Sequence, residues 1–219
     1  MIRALTLTAT VLLGTTVCAQ NVGQNVRQNA GQNVRQNVGQ NVRQNFGQPV
    51  AQNVSSVPLE DEFFVMKAYA EGIAEVAKSR LAMERATQPG IREFAQRMVK
   101  DHTECDNKIV EICRKKGIAL PAAIDAVNTA VINRLAAMSG SDFDKAYLKS
   151  QMCAHKAALF FFDHESCKGE DSDVKELAAK AIPTLQDHAK EAFDLAGEKD
   201  EFKKFCKIQD YAKQVMGEK

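Results

Sequence analysis

From Leu59 onward the apolar residues recur every three or four positions in long runs, interrupted at a few points by proline and glycine. That period predicts helices and no strands. The first run, about Glu60 to Thr87, sets Phe63, Met66, Ala70, Ile73, Ala77 and Leu81 on one stripe, and Gln88-Pro89-Gly90 breaks it. The second starts at Pro89, a residue suited to a first helical turn. It carries Ile91, Phe94, Met98, His102, Cys105, Ile109 and Ile112, and Gly117 ends it as a C-terminal cap. Leu120-Pro121 begins a shorter helix through Val127, Val131 and Leu135 to Met138, stopped by Ser139-Gly140-Ser141. The third long helix, Asp142 to about Lys168, has one stripe of Phe143, Tyr147, Ala154, Ala157 and Phe161 and another of Leu148, Leu159 and Phe162, which predicts burial on two sides. After Gly169-Glu170-Asp171, Ser172 or Asp173 can cap a fourth helix with Val174, Leu177, Ala181, Leu185, His188, Ala192 and Leu195, bent at Pro183. Glu198 to Met216 reads as an amphipathic tail helix with Phe202, Phe205 and Tyr211. Two hairpins of long helices joined by an extended connection predict an all-α fold, a ferritin-like up-down four-helix bundle with a helical connection between its halves and a C-terminal tail helix.

The region ahead of Leu59 follows another pattern. Met1-Ile2-Arg3, an apolar run from Ala4 through Val17 and the small-residue site Val17-Cys18-Ala19 read as a secretory signal peptide over 1–19. The run is shorter than the about 20 residues that a spanning helix needs. No other segment is apolar enough to span, so a soluble, exported mature protein is expected. Residues 20–58 repeat Gln-Asn-Val-Gly and Gln-Asn-Val-Arg, a composition that cannot bury enough apolar area to offset ordering and so predicts a disordered tether. The other reading of the repeat is a surface-attachment or assembly segment reaching an envelope partner, because Gln/Asn-rich repeats also pair as strands. Residues 59–219 form the one domain.

Charge narrows the partners. Arg3, Arg27, Arg35 and Arg43 all precede Leu59, which leaves 25 basic against 28 acidic residues in the domain. A mildly acidic domain excludes nucleic acid as the main partner, since phosphate binding needs a concentrated basic face. Without Cys18, five cysteines remain: Cys105, Cys113, Cys153, Cys167 and Cys206. An odd number leaves at least one unpaired within the chain. Bridges such as Cys105 with Cys153 or Cys113 with Cys167, and buried thiols acting as small hydrophobes, stay open as alternatives.

Candidate chemistry sits in the middle of the long helices. Glu75 and His102 are each 13 or 14 residues from the Pro89 turn, while His155 lies about 14 residues before the Gly169 turn and His188 about 18 after Glu170, roughly one helical turn out of register but still near mid-helix. A bundle would bring all four toward one layer. Imidazole and carboxylate bind zinc, iron, manganese or copper, and carboxylates orient ligating histidines. Supporting groups are expected from Glu71, Asp101, Asp106, Tyr147, Gln151, Asp187 and Glu191, with Asp106, Gln151 and Glu191 each on the face of its own helix's histidine. Two features weigh against a site. The Glu-x-x-His pairs of di-iron bundles are absent, and Glu75 and His155 fall off the main apolar stripes of their helices. The competing reading is a set of core histidines hydrogen-bonded to neighbouring acids or carbonyls. His164, near a helix end, reads as solvated or as a C-terminal cap.

Taken together, Phe64 and Glu75, then Phe94-Ala95-Gln96-Arg97-Met98 and Asp101-His102-Thr103, Gly117, Pro121, Phe143-Asp144, Tyr147-Leu148, Gln151, His155, Pro183 and His188 form a pattern over Leu59 to Ala196. It resembles the bacterial ferritin-like family catalogued as domain of unknown function 4142, whose members are often labelled predicted outer-membrane proteins. The resemblance implies a ferritin-like bundle exported to the periplasm or cell envelope, with no established activity. Its polar positions are Glu75, Asp101, His102, Asp144, Tyr147, Gln151, His155 and His188. The label is read as a location, because integral outer-membrane proteins are closed barrels. Two functions are therefore expected to compete: a transition-metal-binding bundle using Glu75, His102, His155 and His188, and a non-enzymatic envelope stress or interaction protein with a buried hydrogen-bond network. An oxidase-like enzyme is the weaker third, lacking the carboxylate-rich ligand set.

Overall fold

In a computed structural model, Ser55 and residues 57–217 are described; residues 1–19, read above as a signal peptide, and nearly all of the segment read as a repeat tether lie outside them. Among these residues there are six helices: α1 Leu59–Arg85, α2 Pro89–Lys116, α3 Ala126–Ala136, α4 Gly140–Lys168, α5 Ser172–Ala196 and α6 Lys199–Gly217. Helix α2 ends where expected, on Gly117 at φ 73°, the left-handed conformation that glycine adopts without strain. Two local expectations are corrected and one open alternative is decided. The cap of α5 is Asp171, which accepts from the Asp173 and Val174 amides, so neither Ser172 nor Asp173 serves. The connecting helix starts only at Ala126, where Asp125 accepts from the Asn128 amide. All five cysteines are free thiols.

α1 packs along α2 and α4 along α5, and the two hairpins meet through α2 against α5 and α1 against α4. The ends are fixed by a reciprocal device. Asp144, near the start of α4, accepts from the Thr87 hydroxyl and from the Thr87 and Gln88 amides at 3.0 and 3.3 Å, in the α1–α2 turn. Asp61, near the start of α1, accepts from the Glu170 and Asp171 amides at 3.1 Å, in the α4–α5 turn. Each hairpin's turn is thus capped by a carboxylate from the other hairpin, and α4 must begin at the end where α1 finishes. The connection from α2 therefore crosses the length of the bundle. Helix α3 makes that crossing beside α1, with Asn128 donating to Glu71 at 3.1 Å and Arg85 donating to the Ala136 carbonyl at 2.6 Å.

The apolar core falls into two clusters. One holds Phe64, Val65, Ile109, Leu159, Phe162 and Val174; the other holds Ile91, Phe94, Met98, Phe143, Tyr147 and Phe193. The buried seam of α1 differs from the expected stripe. Phe63 and Met66 are exposed, while Asp61, Val65, Ala68, Gly72, Glu75, Ser79 and Ala82 are buried. Those residues alternate by four and three, the spacing of a helix seam facing a partner. On α4 the seam likewise takes in Asp144, Gln151 and His155. Helix α6 lies against α4 and α5, with Phe205 edge-on to Phe160 at 5.6 Å and Gln209 donating to the buried Asp163 at 2.6 Å.

Candidate metal centre

Between the two apolar clusters lies a polar layer. His102 on α2, His155 on α4 and His188 on α5 offer ring nitrogens that all lie within 4.8 Å of one another. The rings are 5.7, 5.4 and 5.4 Å apart, centroid to centroid. His155 and His188 are buried, and His102 is partly exposed with its Nε2 buried.

Two of the tautomers follow from the hydrogen bonds. His155 Nδ1 donates to the Gln151 carbonyl at 3.0 Å, which leaves Nε2 with a lone pair. His188 Nε2 donates to the Asp101 carboxylate at 2.9 Å, which leaves Nδ1 with a lone pair. Those freed nitrogens, together with His102 Nε2, are buried and have no hydrogen-bond partner. Burial lowers the pKa of all three, of His155 to about 4, and the neighbouring imidazoles add to the effect at His102. At neutral pH the cluster is three uncharged rings, each with a buried acceptor nitrogen, the protonation state a metal ion needs.

Glu75 is only partly as expected. It is buried in the same layer and its charge reaches His155 and His188, yet it is not in the converging group. One carboxylate oxygen is taken by Lys78 and the other has no partner. Lys78, only 3% exposed, is the residue that sequence reasoning missed. Its signal was available: it lies four residues after Ala74 and four before Ala82, on a face made of small buried side chains.

The supporting residues sort differently from the expectation. Asp101 orients His188, on a neighbouring helix, instead of the adjacent His102. Gln151 supports His155 through its backbone carbonyl, while its buried side-chain amide has no partner. Asp106 turns away to α1, where a Cβ on Gly72 would stand 1.9 Å from its Oδ1, and burial pushes its pKa up to about 7. Glu71 binds Lys67 and Asn128, Tyr147 bonds Ser79 at 2.9 Å, and Glu191 pairs with Arg97 across to α2. Asp187 and His164 are exposed and take no part.

The pattern described as "Domain of unknown function (DUF4142)" matches residues 47–195. The chain belongs to the DUF4142 family. The match takes in all four long helices and the histidine cluster and stops short of α6. A crystal structure of a DUF305 fragment from Deinococcus radiodurans aligns with the DUF4142 chain at 13% identity and a TM-score of 0.58, over 64% of this chain and 97% of that one. At that identity the likeness is one of fold. No curated protein matches the chain significantly. No described helix is long and apolar enough to cross a membrane.

Proposed function

We propose that this chain is an exported protein of the bacterial cell envelope that binds one transition-metal ion at mid-bundle. Two observations carry the reading: His102, His155 and His188 bring ring nitrogens within 4.8 Å of one another from three different helices, and each of the three rings has a buried nitrogen without a hydrogen-bond partner. Left empty, such a set loses hydrogen bonds that each nitrogen had in water. A bound ion would satisfy them together. Three neutral imidazoles suit zinc, copper, iron or manganese, and three protein ligands leave a coordination position open. Asp101 and the Gln151 carbonyl hold two of the rings with lone pairs free, the role that carboxylates and carbonyls behind ligating histidines serve. Export rests on the sequence of residues 1–19 alone. No reaction is assigned, because the carboxylate-rich set of di-metal oxidases is absent.

A specific observation favours the competing reading, a structural network. Lys78 neutralises Glu75 and sets a positive charge close enough to His102 and His155 to oppose their protonation. The same charge opposes any other cation. Metal analysis of protein purified without a histidine tag separates the two. Stoichiometric metal that is lost in His102→Ala and His188→Ala supports the site. A metal-free protein whose melting is unchanged by zinc, copper, iron or manganese supports the network.

A further inference from the structure

The histidine cluster is not enclosed. It belongs to the wall of a cavity of about 1350 Å³ that takes in residues of all four long helices and of α3. This is far more space than an ion and its water need, and larger than a typical small-molecule pocket of roughly 300–1,000 Å³. Its walls run from the exposed Phe63 and Val127 to the buried His155 and His188. The space exists because small residues face it. Ala154 and Ala158 on α4 and Ala181 on α5 line it where larger apolar side chains would fill it. Phe161 and Leu185 add apolar wall. The buried polar groups of its wall are Glu75, Lys78, Asp106, Asn128, His155 and His188; among them the unpartnered imidazole nitrogens and Lys78, the one buried cation among the described residues, lie at the mid-bundle layer. An ammonium has three donors, and one hydrogen bond, to Glu75, is formed.

We infer that this cavity binds an amphipathic carboxylate, its apolar chain along the alanine-lined channel and its carboxylate at the histidine layer. The inference rests on the metal reading above, which supplies one of two anchors. One carboxylate oxygen fills the coordination position that three histidines leave open, and the other accepts from the donors Lys78 has left. The apolar walls and the exposed Phe63 and Val127 at the mouth accept the chain, whose removal from water provides the affinity. No covalent step is involved.

The test uses zinc as the metal and dodecanoate as the probe, with acetate as a head without a chain and dodecyltrimethylammonium as a chain without the anionic head. The zinc content of the full chain is measured first, and dodecanoate is then titrated calorimetrically into the loaded protein. Dodecanoate should bind once per chain and at least about 100-fold more tightly than either control, a gap worth about 2.7 kcal/mol. Ala154→Phe on α4 and Ala181→Phe on α5, which each fill part of the cavity, should each weaken dodecanoate at least about tenfold with zinc stoichiometry retained. Lys78→Met with Glu75→Leu, which removes the buried ion pair as a unit, should weaken it similarly, again with zinc retained. Zinc-loaded protein that binds dodecanoate no better than acetate overturns the inference alone. So does unchanged affinity in both phenylalanine variants. A chain that takes up no zinc overturns the metal reading and the inference's coordination anchor together.

Discussion

The two apolar clusters and the polar layer between them are built from the same four helices, yet they do opposite things to stability. At the ends, Phe64, Phe94, Phe143 and Phe193 are almost wholly buried, and removing such rings from water is what holds the bundle together. At the centre, Glu75, Lys78, Gln151, His155 and His188 are equally buried, and several of their polar atoms find no partner. Desolvating such groups without compensation costs roughly 1–3 kcal/mol each. On the reading proposed above, a layer that weakens the fold where the core could have been continuous is kept for binding.

That contrast can be broken most forcefully at the ends. Phe94→Ala should lower stability by about 3–5 kcal/mol in chemical denaturation, whereas His155→Leu in metal-free protein should leave it unchanged or raise it. Equal losses in the two variants would mean that the centre is structural after all. The ion pair gives the next effect. Lys78→Met alone strands Glu75 and should cost about 3–5 kcal/mol, while Lys78→Met with Glu75→Leu should recover most of it. A double variant as unstable as the single would show that the pair itself holds the layer.

Acid sharpens the comparison further. His155 is depressed to about 4 in the folded chain, so below pH 6.5 the unfolded state takes up a proton that the folded state refuses. Stability of the metal-free protein should therefore fall as pH drops from about 6.5 to about 4, by about 3 kcal/mol from this residue. His155→Leu should flatten that slope. A slope unchanged by the substitution would move the titration elsewhere. Asp101→Asn keeps the shape of the group behind His188 and removes its charge, and should weaken zinc about 10–100-fold. The smallest effect is expected at a terminus remote from the layer: Asp171→Ala, which removes the cap of α5, should cost about 1 kcal/mol in thermal melting and leave zinc binding untouched.

How much was legible in the sequence depended on which helix was read. On α2 and α5 the histidine sits within an apolar stripe, so hydrophobic periodicity placed His102 and His188 on the buried face. On α1 and α4 the buried face carries Asp61, Glu75, Lys78, Asp144, Gln151 and His155. On α1 the apolar signal pointed to Phe63 and Met66, which are exposed; on α4 the expected Phe143, Tyr147, Leu148, Leu159 and Phe162 are buried. Periodicity finds the core where the core is apolar, and it fails at a polar seam for that reason.

The sequence by itself determined the helices, their order, the cap at Gly117 and the mid-helix level of three histidines, because these follow from local geometry and from counting residues away from a turn. Tertiary structure alone decided which face of α1 turns inward against the other helices, that Asp101 supports His188 and not His102, and that a cavity with alanines in its wall adjoins the layer. Each of those is a relation between helices distant in the chain. Each is fixed by the packing angle and register of the two hairpins, which the reciprocal carboxylate caps Asp61 and Asp144 hold in place.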